Sequence, residues 1–443
     1  MDDSPSSTTA RLAGTAALVA LVYLLSAGVS RSLATAATET LPLWLAAGVS
    51  FGALLVAAPG HRKAVLGGTA VGIYLWGMLG HGLTALAALP FAAIETAAIG
   101  IGAWLAQRGR SPAAAHRPGV AWLVAGALLT AALGATLAAE FWQWLRPGTA
   151  YGAEWRAWAY STALSILLVA PVITAFSGFR VRRSGGMTSL QFAAGAAAFV
   201  AFAVVAWITF GPGAQQRFGA LAATLAYLPM PFLLLAALLW GPAGGALAML
   251  AGAVLLIGQT VAGNGPFVVT EAFRGESVIE VQAYVAVWAM LVLLVQDLSE
   301  ARRRASSQAR DWQLRYERTL QAVDVASAEF DAVTGAAFWA PQSRAVLGPG
   351  IDAIAGIDDW LACVDGADRA LAQKSWRDLS SGRQAASVSD QYAVRLAGGL
   401  RMVRVRWAAV HGPDGAVERV AALVHPLPSA PADGHEADGR NHG

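Results

Sequence analysis

Few residues of this 443-residue chain are of a type that does chemistry, and most of those lie inside or at the ends of long apolar runs. Glu95 stands near the middle of one such run, PFAAIETAAIGIGAWL. An ionisable side chain at mid-membrane costs about 2.5–3.5 kcal/mol on insertion scales, so it needs a reason. Two are open: a ligand, ion or proton site, or a protonated glutamate that hydrogen-bonds neighbouring helices together. Glu140, Glu154, Arg156 and Glu280 lie near the ends of apolar runs, the first three amid Trp142, Trp144, Tyr151, Trp155 and Trp158, and an interfacial aromatic belt accounts for most of that pattern. Tyr227-Leu-Pro-Met-Pro-Phe232 places Pro229 and Pro231 inside another run, where each removes a backbone donor and interrupts a helix. Such a break is tolerated in a membrane only where protein or a water-filled cavity satisfies the freed carbonyls. Gln259 and Asn264 then give the next run a polar exit. The ligand-binding or coupling candidates are therefore Glu95, Glu140, Gln259, Asn264, Pro229 and Pro231.

Catalytic machinery is not among the expectations. No Gly-x-x-x-x-Gly-Lys-Ser/Thr phosphate loop, no Gly-Gly-Asp/Glu-Glu-Phe signature and no cluster of His and acidic residues occurs, and Cys363 is the single cysteine. No cofactor and no metal is expected, and the small net charge of +3 gives no reason to expect nucleic acid.

The elements that must carry these residues follow from composition. Hydrophobic residues make up 56% of the chain and charged ones only 13%, against the roughly 25% charged of an average soluble domain. The charges are concentrated in the last 146 residues, so two regions with different solvents are expected. A span takes roughly 20 apolar residues. Ten runs qualify, near 11–29, 41–58, 64–81, 83–107, 119–145, 153–176, 189–211, 217–240, 243–263 and 278–297, with the second and third the weakest, so about 8–10 spans are expected. Lys and Arg are in excess in cytoplasmic loops. With the N-terminus inside, Arg11, Arg62, Lys63, Arg108, Arg110, Arg117, Arg180, Arg182, Arg183 and Arg302 to Arg304 fall on the cytoplasmic side and Arg31, Arg146, Arg156, Arg217 and Arg274 on the other, which puts both termini in the cytoplasm.

Residues 298–325 follow with no Gly or Pro to stop a helix, and Trp312, Tyr316 and Leu320 recur at a spacing that suits either a short coiled-coil seam or an amphipathic helix packed on the next domain. From 326 to 428 short alternating segments predict strands near 328–331, 336–339, 388–396, 400–411 and 418–426 and a helix over 358–380, an α+β unit large enough for one core. The tail 429–443 has a disordered composition.

Two resemblances sharpen this. Leu43-Trp-Leu-Ala-Ala-Gly-Val-Ser-Phe-Gly-Ala-Leu54, the glycines Gly67, Gly68 and Gly72, the segment Tyr227–Pro242 and Gly263-Asn-Gly-Pro-Phe267 together resemble the first membrane-associated sensor domain, the MASE family, over about residues 10–300. That resemblance implies a multi-span bacterial sensory module of the kind that precedes histidine kinases, diguanylate cyclases and phosphodiesterases. Trp360, Leu361, Asp368, Arg369, Tyr392, Arg395, Gly399, Arg401, Val403, Trp407, Asp414 and Gly415 resemble the pattern of a PAS domain subtype, with Val364-Asp-Gly-Ala where that pattern has His-Pro. The expected architecture is thus an N-terminal tail (1–10), a polytopic α-helical membrane bundle (11–297), a helical linker (298–325), a small α+β PAS-like cytoplasmic domain (326–428) and a tail (429–443). The expected function is a bacterial inner-membrane sensor with no catalytic output of its own, its partners the lipid bilayer, a second copy through linker and PAS-like domain, and a separate histidine kinase or diguanylate cyclase. A transporter or permease-like binding protein is the alternative, suggested by Glu95, the broken run at 217–240 and the polar exit after 259.

Overall fold

The computed structural model describes residues 5–34, 41–109, 118–177, 188–268, 275–383, 387–397 and 399–428. Arg110, Arg117, Arg180, Arg182, Arg183 and Arg274 of the charge argument, and the tail 429–443, lie outside them. The chain divides into two units, 1–301 and 302–443.

The first unit is helical. α1 (Pro5–Ser32) starts with a proline in its first turn, where the missing N–H costs nothing, so the helix takes in most of the expected N-terminal tail. α2 (Leu45–Val56), α3 (Arg62–Leu79), α4 (Ala85–Arg108), α5 (Val120–Leu145), α6 (Tyr151–Phe176) and α7 (Ser189–Phe210) follow, then two short helices, α8 (Ala214–Phe218) and α9 (Ala222–Leu225), and the long runs α10 (Met230–Val261) and α11 (Glu276–Ala322). Among the described residues seven helical stretches are long and apolar enough to cross a membrane. Two of the ten expected runs, α2 and α3, are not among the seven, and the runs at 217–240 and 243–263 count there as one stretch although α10 holds both. α2 has only 12 residues, well short of the roughly 20 a span takes. α10 is continuous by hydrogen bonding but Gly241 adopts φ 69°, ψ −167° within it. Leu233 Cδ2 lies 3.2 Å from the position a Cβ on Gly252 would occupy, and Ala237 Cα 3.1 Å from that of Gly245. Residues before and after Gly241 therefore stand side by side, and α10 is a helical hairpin whose tip falls between the expected runs 217–240 and 243–263. Only glycine adopts that reversal without strain.

The prolines end one helix and begin another. Pro229 stands at the N-cap and Pro231 in the first turn of α10, where proline is tolerated. The interruption frees the carbonyl of Ala226, which accepts a hydrogen bond from the buried Tyr284 hydroxyl of α11. Small residues let the helices approach. α4 and α5 meet at Gly102 and Gly126, and α2 packs on α6 with Gly48 and Gly52 against Ser165, Val169 and Ile173.

The second unit is an α+β domain. β1 (Ala326–Asp331), β2 (Ala337–Trp339), α12 (Ser343–Leu347), α13 (Ile357–Cys363), α14 (Arg369–Ser380), β3 (Ser387–Leu396), β4 (Gly399–His411) and β5 (Val417–Pro426) form one antiparallel sheet in the order β2-β1-β5-β4-β3 with the helices between β2 and β3. All five expected strands are present. The single helix expected over 358–380 is two, because Val364–Asp368 bridges to β3: Val364 pairs with Val394, and Asp365 N donates to Ala393 O. Phe330, Trp360, Tyr392 and Trp407 are buried in the core, with Trp339 and Trp376 packed against it. The expected linker residues up to Ala322 are helical and continuous with the last apolar stretch, in one helix of 47 residues.

Candidate functional site

At one end of the helical unit, α2 begins, α5 ends, α6 begins and α3 turns into α4. Their residues enclose a cavity of about 250 Å³ lined by Leu41, Trp44, His81, Trp142, Arg146, Thr149, Glu154, Ala157, Trp158 and Ser161. Each wall has a local cause. Trp44 is the residue before α2, its N–H donating to Ser161 O of α6 at 3.4 Å, while the first helical N–H, Leu45, is capped by Ser30 Oγ of α1 at 2.9 Å. Trp142 and Arg146 are one turn apart at the end of α5, and the guanidinium stacks 4.8 Å above the Trp142 ring. Glu154 opens α6, and Trp158 follows one turn on, its indole beside the Glu154 carboxylate.

The aromatic rings form a connected wall. Trp44 lies 6.4 Å from Trp158 and His81 lies 5.3 Å from Trp142, with Phe91 at 5.5 to 5.9 Å from His81, Trp142 and Trp158. These edge-to-face contacts fix ring orientation. His81 Nε2 has no hydrogen-bond partner among the described residues. The cavity thus offers aromatic faces, the Arg146 guanidinium, the Glu154 carboxylate, the His81 imidazole and the hydroxyls of Thr149 and Ser161.

The sequence candidates fall elsewhere. Glu95 is 3% exposed on α4, one turn deeper than Phe91, within electrostatic reach of Tyr23, which packs edge-on against Trp44 at 6.3 Å. No hydrogen bond to its carboxylate is seen among the described residues. Glu140 is exposed on α5. Gln259 and Asn264 bond to each other, Nδ2 of Asn264 donating to Oε1 of Gln259 at 3.3 Å, and close the turn after α10. Pro229 and Pro231 shape the start of α10 as described. None of the six lines the cavity, and the structure does not bring them together. Trp312 and Tyr316 are 72% and 56% exposed on α11, and Leu320 is buried.

What sequence reasoning missed is that the belt of tryptophans divides. Trp144 faces outward, 76% exposed, while Trp142 is buried and with Trp158 lines the cavity. The signal was available in the spacing, because Trp142 and Arg146 at i, i+4 and Glu154 and Trp158 at i, i+4 share faces of their helices.

Of the residues that resemble a PAS pattern, most hold the α+β core. Trp360 Nε1 donates to Tyr392 Oη at 3.1 Å, Arg369 donates to the carbonyls of Ala362 and Val364, and Asp368 accepts from Ala393 N. Gly399 and Gly415 take positive φ in the two hairpins. Burial pushes the Tyr392 hydroxyl and the half-buried Cys363 thiol up from their ordinary pKa values.

The MASE1 family model matches residues 15–303. The chain belongs to the MASE1 family. MASE1 is a membrane sensory domain, and the chain is a multi-pass membrane protein built on it. No curated protein matched the chain. Among solved structures, a sensory box histidine kinase/response regulator from Burkholderia thailandensis is similar at 17% identity over 26% of this chain and 84% of that one, with a TM-score of 0.22. An RNA-binding light-oxygen-voltage receptor is similar at 20% identity over 24% and 31%, with a TM-score of 0.21. At those scores they decide nothing about function. The cavity, from Leu41 to Ser161, lies within the MASE1 portion.

Proposed function

We propose that this MASE1 protein is a bacterial inner-membrane sensor whose helical unit receives a small molecule at the cavity and passes its state along α11 to a PAS-like cytoplasmic domain without chemistry of its own. One observation carries the reading. Gln282 of α11, buried, donates through Nε2 to Pro42 O at 2.8 Å and to Leu41 O at 3.4 Å, and Leu41 lines the cavity. α11 is therefore tied to the cavity rim and runs unbroken through Ala322, where the turn into β1 begins. A displacement of the rim has a rigid element to act on. At the other end of the helical unit, Gln296 of α11 donates to Gly241 O at the α10 hairpin tip.

The excess of Lys and Arg on one side places the cavity on the outer face and α11's far end inside. The exposed Trp312 and Tyr316 suit a seam with a second copy, and the output is a separate histidine kinase or diguanylate cyclase. Transport gains no support, since the break at Pro229 is sealed by Tyr284. The test is in-cell photocrosslinking from positions 312 and 316. Capture of a second copy together with a kinase or cyclase supports the sensor. Uptake of a labelled solute into vesicles with no captured protein refutes it.

A further inference from the structure

The two charged residues of the cavity are opposite in sign and are not paired. Arg146 acts electrostatically on Glu154, yet no salt bridge joins them among the described residues. The arrangement keeps them apart. Arg146 is drawn over the Trp142 ring at the end of α5, and Glu154 is drawn beside the Trp158 indole in the first turn of α6. The same cavity is lined by the Trp44 and Trp158 rings and by His81, whose Nε2 has no hydrogen-bond partner among the described residues.

We propose that the cavity binds a small zwitterion, a molecule with one carboxylate and one ammonium or quaternary ammonium group a few bonds apart. The proposal rests on the sensor reading and names the chemical class that site takes. The carboxylate goes to Arg146, whose planar fork suits bidentate recognition. The cationic group goes to Glu154 and the faces of Trp44 and Trp158, as cations do in aromatic cages. A simple anion meets the Glu154 carboxylate, a simple cation meets the Arg146 guanidinium, and a neutral polyol gives neither charge an opposite partner. A cavity of about 250 Å³ lies below the roughly 300–1,000 Å³ of drug-sized pockets and suits an amino-acid-sized molecule.

The full chain in lipid nanodiscs is heated with glycine betaine, L-leucine, tetramethylammonium, acetate or glucose at equal concentrations, and the midpoint of unfolding is read. A ligand that binds only the folded state raises it. The expected result is a rise with glycine betaine or L-leucine and none with either single-charge ion or glucose. R146Q and E154Q should each weaken the response at least tenfold in probe concentration, and W144F, on the exposed face, should leave it unchanged. Should R146Q fail to fold, judged by its unliganded midpoint, R146K keeps the charge and loses the fork, and it too should weaken the response. Equal rises with a single-charge ion, a rise with glucose alone, or no rise with any probe overturns the zwitterion. A glucose response that R146Q abolishes would do so while leaving the sensor reading intact, whereas signalling unchanged in R146Q and E154Q would remove the cavity from both.

Discussion

α4 and α5 approach each other through two glycines, Gly102 near the end of α4 and Gly126 near the start of α5, at the end of these helices away from Trp142 and Arg146. A Cβ added to Gly102 would lie 2.5 Å from Gly126 O and nearer still to Thr130 Oγ1, whose hydroxyl donates to that same carbonyl at 2.9 Å. A Cβ on Gly126 would lie 2.6 Å from Gly102 O. The obstacles are backbone and a bonded hydroxyl, so the helices themselves must separate, by about 1 Å if ordinary contact near 3.5 Å is to be restored. Overpacking of this kind costs about 1–3 kcal/mol. Gly67 of α3 gives the opposite case, since a Cβ there meets nothing within 4 Å. Ala at such a helical site should stabilise by about 0.4–1 kcal/mol through propensity and reduced freedom of the unfolded chain. Thermal unfolding of the full chain in detergent, read by circular dichroism, should therefore move down for G102A and up for G67A. Changes of the same sign in both variants, or no loss in G102A, would refute the close-packing argument for α4 and α5.

Residues 312–428 expressed alone should form a soluble folded domain, because the core around Phe330, Trp360 and Trp407 is self-contained; dispersed amide resonances in a two-dimensional NMR spectrum would check this. Within that fragment, W360F loses the bond to Tyr392 Oη and leaves a void, at an expected cost of about 1–3 kcal/mol in urea unfolding. The Asp331 carboxyl, hydrogen-bonded by Thr334 N and Oγ1 and by Val333 N, is held below the usual carboxylate range. Its contribution is present above the unfolded value of about 3.9 and lost as pH falls through the lower folded value. D331N should therefore lower the midpoint at pH 7, with the gap to the wild type closing in acid. Reporter fusions at the C-terminus and in the 264–277 loop should give opposite signals, and equal signals would remove the assigned orientation.

The architecture was legible where local signals agree with tertiary demand. Composition separates the lipid-facing region from the rest, and the β1–β2 and β4–β5 turns carry glycines, Gly335 and Gly415, that take the positive φ the turns need. The Trp240–Gly245 reversal was readable for the same reason. Spans were harder. Hydropathy cannot tell a crossing helix from α2, which is apolar throughout but has only 12 residues and is held by Ser30 at its start. The cavity was the least legible part, because Leu41, Trp44, His81, Arg146 and Trp158 come from four separate stretches that only helix packing brings together. Glu95 drew attention by its charge alone, and the packing places it beneath the aromatic wall instead of in it. Gln282, unremarkable in sequence, became informative only when its partners at Leu41 and Pro42 were known.

The relay from cavity to domain is tested most directly by hydrogen–deuterium exchange on the full chain in nanodiscs, comparing the wild type with R146Q and with Q282L. Both changes alter the rim to which α11 is bonded, and both lie far along the chain from the α+β domain. The account predicts altered exchange in residues 302–322 and in the strands of that domain for each variant, with local exchange at the cavity altered in R146Q. Unchanged exchange beyond residue 302 in both variants, with the cavity visibly perturbed, would contradict it.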